Sequence, residues 1–276
     1  MKQKMKQLLY AAAASGCLTA GGLLYYGHKK EPETLTVTRP RLSNPPPVRI
    51  VFFSDVHLGG MYAPEHLSAI VDKINSLRPD LVLFGGDFFA KFPDDYVFLD
   101  ASARAGELAR IKAPMGKYAV LGNHDIRKGG RPYAEKLLRA GGFTVLWDSC
   151  VSLPCRVEIC GLSPYSSGRA LKQLPNRGYR ICLCHMPDRA RYLPLRRCDL
   201  MLSGHSHGGQ VRLPVLTRVI LPPGGKMFPL GLYFPQGKKA GALFVSRGIG
   251  MSGLPFRFLC PPELVLLKAA PKQDKR

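Results

Sequence analysis

A chain of 276 residues can bury one sizeable α/β core or two small ones. Its 46% hydrophobic and 21% charged content is ordinary for a globular protein and excludes a chain too polar to form a core. Forty Lys and Arg against nineteen Asp and Glu leave a formal net charge of +21, which favours a polyanionic partner: lipid head groups, nucleic acid or a phosphorylated substrate.

Residues 1–7 are basic, and Leu8–Gly27 run without a charge until His28-Lys29-Lys30. That run is just long enough to span a bilayer as a helix, so an uncleaved membrane anchor is expected over residues 1–30. A cleaved secretory signal and a lipoprotein signal ending at Ala14-Ser15-Gly16-Cys17 are the competing readings. Residues 31–47 are proline-rich, end in Pro45-Pro46-Pro47 and read as a semi-rigid linker. A catalytic domain over 48–270 and a basic tail over 271–276 complete the expected organisation.

Val48–Ser54 is a continuous apolar run, the pattern of a strand buried on both faces. Pro64–Leu77 places Leu67, Ile70, Val71, Ile74 and Leu77 on one helical face, with Pro in the first turn. Strands follow at Leu81–Gly85 and Lys117–Leu121, with a helical stretch around Val97–Lys112 between them. Arg131–Ala140 reads as a helix. Further strands are expected at Thr144–Trp147, Val157–Gly161, Arg180–Cys184, Leu200–Ser203, Ala242–Arg247 and Glu263–Lys268. Helices dominate the connections early and strands follow closely later, which suggests an α/β sandwich in one domain. The cysteines at 17, 150, 155, 160, 182, 184, 198 and 260 form no zinc-type pairs. Several lie in apolar runs, and the odd number in the body points to thiols in a reducing compartment. A membrane-associated protein with a cytoplasm-facing catalytic domain is therefore expected.

The polar residues at the strand ends are of one kind. Ser54-Asp55-Val56-His57 follows the first strand, Gly85-Gly86-Asp87 the second and Gly122-Asn123-His124-Asp125 the third. His185 ends another, and Gly204-His205-Ser206-His207 ends the Leu200–Ser203 strand. Carboxylate, imidazole and amide groups delivered from strand ends into one crevice suit a dinuclear metal site. Each piece alone is weak, since Asp in a turn is often only a cap; five in succession are not.

In this order the blocks Asp-x-His, Gly-Asp, Gly-Asn-His-Asp, a lone His and Gly-His-x-His resemble the calcineurin-like metallophosphoesterases over about residues 49–268. Gly204–Gln210 with Val211-Arg212-Leu213-Pro214, and Ser246-Arg247-Gly248-Ile249-Gly250, are similar to the membrane-proximal YaeI/YkuE-like branch. The resemblance implies a two-sheet αββα sandwich and two divalent metal ions, with Mn, Fe or Zn the best match to these donors. It implies that Asp55, His57 and His207 hold one ion, that Asn123, His185 and His205 hold the other, and that Asp87 bridges them. His124 is then expected to protonate the leaving oxygen or stabilise the phosphoryl charge, with Asp125 orienting it.

Two other segments stand out. Phe88-Phe89-Ala90-Lys91-Phe92-Pro93 follows Asp87 directly, and Pro222–Lys239 mixes Met227, Phe228, Leu230, Leu232, Tyr233 and Phe234 with Lys226, Lys238 and Lys239. Each reads either as packing or as a lipid-facing lip against an anionic membrane surface. Nucleic acid is disfavoured, because the basic residues are dispersed and no RNA-binding motif is present. The expected function is hydrolysis of a phosphodiester or pyrophosphate bond in an amphiphilic substrate, such as the lipid A precursor UDP-2,3-diacylglucosamine. A generic phosphodiesterase or phosphomonoesterase acting outside the membrane, and a non-catalytic metal-bound scaffold, remain the alternatives.

Overall fold

A run such as Ile50–Phe53 offers no polar face to water, so it must sit inside a sheet covered on both sides. The computed structural model, which describes residues 2–59, 65–94 and 100–268, shows how that covering is achieved. Strands β1 (Thr36–Thr38), β2 (Ile50–Phe53), β3 (Leu81–Phe84), β4 (Lys117–Ala119) and β5 (Thr144–Val145) belong to a first sheet. Strands β6 (Ser149–Ser152), β7 (Val157–Leu162), β8 (Tyr179–Cys184), β9 (Leu200–Ser203), β10 (Gly231–Tyr233) and β11 (Ala242–Val245) make the second. The last strand, β12 (Glu263–Leu267), returns to the first sheet. The orders are β1-β12-β2-β3-β4-β5 and β10-β11-β9-β8-β7-β6, both mixed.

Side chains on a strand alternate, so β2 sends Ile50 and Phe52 one way and Val51 and Phe53 the other. Ile50 and Phe52 meet Ile181, Leu183 and Leu202 between the sheets. Val51 and Phe53 meet helices α2 (His66–Ser76), α3 (Ala101–Ala109) and α4 (Arg131–Ala140) through Leu67, Ile70, Leu108 and Leu137. A fully buried Phe of this kind contributes roughly 1.5–3 kcal/mol of transfer free energy. The outer face of the second sheet is covered differently. Cys182, Cys184 and Met201 pack on Leu171, Leu193 and Leu195, which come from short 3₁₀ segments and their flanks. The α/β fold with two mixed sheets thus stands, while the layer over the second sheet consists of tight turns among the described residues.

Most element boundaries match the apolar pattern to within two or three residues. Pro64 and residues 97–99 of the expected helices, and the 271–276 tail, lie outside the described residues. β1, β6 and β10 were not legible as strands: each is three or four residues long and interrupts a Pro-, Gly- or Ser-rich stretch. β1 pairs in parallel with β12, so residues 36–38 form the edge of the first sheet.

The membrane anchor is corrected. Helix α1 spans Lys2–Tyr25, but no helix among the described residues is long and apolar enough to cross a membrane. The uncharged run is diluted by Ala, Gly, Ser15 and Thr19, and the helix includes Lys4 and Lys6. The membrane-associated placement that rested on this anchor falls with it. Beyond α1 the chain docks on the body: Arg257 N–H donates to the Gly27 carbonyl at 2.8 Å, and Glu31 accepts from the Leu259 and Cys260 amides. The reading of all body cysteines as thiols is corrected at one pair. Cys150 and Cys160 face each other in the β6–β7 register and form a disulfide.

Candidate metal centre

The site forms where β2, β3, β4, β8 and β9 end on one side of the sandwich. Asp55 and His57 follow β2, Asp87 follows β3, and Asn123, His124 and Asp125 lie on the helical turn after β4. His185 follows β8, and His205 and His207 follow β9. All but Asn123 and His124, which are half-buried, are buried. Nε2 of His57 lies 3.6 Å from Asp87 Oδ2, and Nε2 of His185 lies 3.0 Å from the same oxygen. Asp55 Oδ1 is 3.6 Å from His207 Nε2 and 3.9 Å from Nε2 of both His57 and His185. Three ligand trios result: Asp55, His57 and His207; Asp87, His185 and His205; and His57, Asp87 and His124.

Gathering these groups strains the backbone. Asp55, His57, Asp87, His205 and His207 have φ of 53°, 47°, 57°, 68° and 51°, the left-handed region. Asp and His tolerate it better than most residues, at about 1–3 kcal/mol each, provided the surroundings hold them there. Two of the motif glycines supply the room. A Cβ at Gly204 would stand 2.0 Å from Asp55 Oδ2, and one at Gly122 would stand 2.0 Å from Asp87 Oδ1. Hydrogen bonds supply the hold. Asp55 accepts from Ser54 Oγ at 2.5 Å and from the His205 amide at 2.9 Å, while Asp87 accepts from the His124 amide at 2.8 Å.

Asp125 does not orient His124. Its carboxylate accepts from the amides of Asp87 (2.7 Å), Phe88 (2.7 Å), Phe89 (3.2 Å) and Gly122 (3.0 Å), which ties the turn after β3 to the turn after β4. His124 instead sets its Nδ1 on the Ala90 carbonyl at 2.6 Å. His185 Nδ1 is held by the Gly85 carbonyl at 2.8 Å, and His205 Nε2 by that of Pro223 at 2.8 Å, leaving the opposite nitrogen of each ring to face the cluster.

Burial and mutual repulsion decide the charges. Burial pushes His57 down to about 3 and His205 to about 4, and drives His207 well below its ordinary value. Burial also pushes Asp55 and Asp125 up to about 6, with Asp87 adding repulsion to both. Burial works against ionisation of Asp87 too, but His185, His57 and His124 outweigh it and hold Asp87 well below the usual carboxylate range. The reciprocal attraction of Asp87 and Asp55 overcomes burial at His185 and lifts it to about 10.

The donor set fits cations. His57 Nε2 and His207 Nε2 converge to 3.0 Å on uncharged rings beside Asp55, and the buried Asn123 Oδ1 has no hydrogen-bond partner. Nitrogen and oxygen donors crowded this closely are arranged as ligands. His124 lies as near to His57 and Asp87 as the ligands do, closer than its expected place outside the metal shell suggests. A cavity of about 260 Å³ opens above the cluster, walled on one side by Ile220, Pro222 and Leu254.

The two aromatic segments take different places in the fold. Phe88, Phe89 and Phe92 are core residues under α4, not a lip. Phe228 and Tyr233 pack on the second sheet, Lys238 and Lys239 line a different cavity, and Met227 is exposed. Sequence reasoning also missed the backing of the site. Ile249 and Gly250 amides donate to the Ser54 and Asp55 carbonyls at 3.1 and 2.7 Å, so Ser246–Gly250 braces the Asp55 loop. Behind it the fully buried Arg257 donates to the carbonyls of Arg247, Gly250 and Cys260. The sequence marked residues 246–250 through their likeness to the membrane-proximal branch, and Arg257 through a charge inside the apolar run 255–258, without showing what either supports.

A calcineurin-like phosphoesterase profile matches residues 48–209. Similar proteins include YkuE of Bacillus subtilis, an uncharacterised metallophosphoesterase 34% identical over 94% of this chain and 93% of its own. The phosphodiesterase YaeI of Escherichia coli is 30% identical over 95% of this chain and 98% of its own. The UDP-2,3-diacylglucosamine pyrophosphatase LpxG of Chlamydia muridarum is 27% identical over 80% of this chain and 83% of its own.

Proposed function

The chain belongs to the calcineurin-like phosphoesterase family, and from that premise we propose that its strand-end cluster holds two divalent metal ions and hydrolyses a phosphodiester or pyrophosphate bond. It is a metal-dependent phosphoric ester or anhydride hydrolase. Asp55, His57 and His207 would hold one ion and Asn123, His185 and His205 the other, with Asp87 shared by the two. The observation that carries this reading is the position of Asp87 Oδ2, within 3.6 Å of His57 and 3.0 Å of His185, which belong to opposite halves of the cluster. Ions held there polarise phosphoryl oxygens and lower the pKa of adjacent water, and Mn, Fe or Zn suit these donors.

The chain's own groups supply the rest. Asp125 fixes the amides at 87–89, which aims the Asp87 carboxylate. The Ala90 carbonyl fixes the His124 ring and leaves its Nε2 to hand a proton to the leaving oxygen. No side-chain nucleophile is needed, because water attacks phosphorus.

For the substrate, the likeness to LpxG and the apolar wall of the cavity support an amphiphilic phosphate such as UDP-2,3-diacylglucosamine. The likeness to the phosphodiesterase YaeI supports a simpler diester. Purified protein loaded with Mn, assayed on bis-p-nitrophenyl phosphate and UDP-2,3-diacylglucosamine, separates the two. His124→Ala is expected to lower kcat by about 10²–10⁴ with Mn content unchanged, and Asp87→Asn to lose both Mn and turnover. Mn-loaded wild type that leaves both substrates intact would return the chain to the scaffold reading.

A further inference from the structure

Next to the metal cavity lies a much larger depression, about 1050 Å³ against about 260 Å³. Helix α5 (Leu216–Ile220) and the residues after it form the partition. Ile220 and Pro222 wall the metal cavity, while Val219 and Leu221 line the groove. The partition is fastened to the site itself. Thr217 Oγ1 donates to the Val211 and Leu213 carbonyls at 3.0 and 2.7 Å, and a Cβ at Gly209, in the turn begun by His207, would stand 2.6 Å from Thr217 Cγ2.

The groove is apolar yet open to water. Val215 is 80% exposed, Val219 74% and Met227 44%. Contiguous apolar surface bordered by charge marks a binding site rather than a packing defect, and Arg212, Arg218 and Lys226 line the groove beside these apolar side chains. An independent sign is strain. Val215 has φ 67° and ψ −54°, and the Leu216 amide donates to the Pro214 carbonyl at 2.8 Å, closing a γ-turn around it. A β-branched residue there costs about 1–3 kcal/mol. Val215 packs against almost nothing that would compensate, so the turn presents a valine to the groove at a cost in stability.

We infer that this groove is the hydrocarbon subsite of the same active centre. It takes the aliphatic chain of an amphiphilic phosphodiester or pyrophosphate whose phosphorus lies over the histidine cluster, and Arg218 and Lys226 meet the negative charge of its head group. The occupant is a chain attached to the substrate because cavity and groove share one wall. A phosphate seated in the metal cavity has this groove directly across the 220–222 wall to receive the apolar remainder. The inference rests on the phosphoesterase reading above.

The test uses the full chain with Mn and a series of ethyl, hexyl and decyl 4-nitrophenyl phosphodiesters, each below its micelle concentration. Wild-type kcat/KM is expected to rise about tenfold or more from ethyl to decyl, chiefly through KM, as methylenes leave water. In Val219→Asp and in Met227→Asp, both at exposed positions, the decyl-to-ethyl ratio is expected to fall to about one. A flat chain-length profile in the wild type overturns the subsite, as does a gain that survives both substitutions. If no ester of any length is cleaved, the phosphoesterase reading fails and takes the subsite with it; that outcome is distinct from hydrolysis without a chain-length effect.

Discussion

On one side of α5, Asp55, His57, Asp87, His205 and His207 hold left-handed backbone conformations while buried; on the other side, Val215 holds one in solvent. The buried five are locked from several directions. Glycines at 122 and 204 press against the two carboxylates, Ser54 and backbone amides bind them, and Ser246–Gly250 backs the Asp55 loop. Val215 has its own γ-turn and, on its carbonyl, the Arg218 amide at 3.1 Å, while its side chain stays in solvent. Strain that is over-determined gives fixed ligand geometry, whereas strain held by a single turn gives a surface element that can adapt to a substrate.

The largest effect should come from filling the space beside a carboxylate. Gly204→Ala puts a methyl 2.0 Å from Asp55 Oδ2 and 2.3 Å from Ser54 Oγ. Displacement of Asp55 by about an ångström is expected to lower kcat/KM about 10²-fold and to strip metal on dialysis. Full activity with full metal content would show that the crevice yields as readily as the groove.

An intermediate effect concerns protons. In the metal-free protein His185 titrates at about 10, so at pH 7 it is charged and paired with Asp87. His57 and His205, lowered to about 3 and 4, are already neutral there. A cation needs the His185 lone pair, so Mn binding at pH 7 should release about one proton, and affinity should rise about tenfold per pH unit until pH approaches the His185 value. Calorimetry in buffers of different ionisation enthalpy reads the proton directly. No release would mean that His185 is neutral before metal arrives. The same pair also bears on folding. A raised histidine contributes stability that is complete below its unfolded value of 6.5 and is lost as pH rises towards 10.

The smallest effect belongs to the groove. Val215→Gly removes the strain but adds unfolded-state entropy, so the net gain should be about 1 kcal/mol or less, a rise in Tm of about 2 °C. A loss of stability in thermal unfolding would show that Val215 is held by packing after all, and the contrast between the two regions would close.

Sequence pattern reached the site further than it reached the fold's edges. Long apolar runs such as Ile50–Phe53 and Leu200–Ser203 specify buried strands by themselves, and Arg131–Ala140 specifies its helix. Short edge strands carry too few residues for a period, which is why β1, β6 and β10 escaped. The N-terminal run misled because its length matched a bilayer while its apolarity did not.

The sequence by itself determined that carboxylate, imidazole and amide groups stand at successive strand ends, because a strand fixes the direction of the residue that follows it. That the glycines at 122 and 204 leave room for the carboxylates alongside them shows only once the turns have folded together. The tertiary structure alone decided what those groups touch. Asp125 binds four amides instead of the neighbouring ring, Arg257 and Ser246–Gly250 back the Asp55 loop from the far end of the chain, and Cys150 meets Cys160 across two strands. Such contacts depend on how two sheets stack, and packing partners distant in the chain leave no period or spacing in the sequence to read.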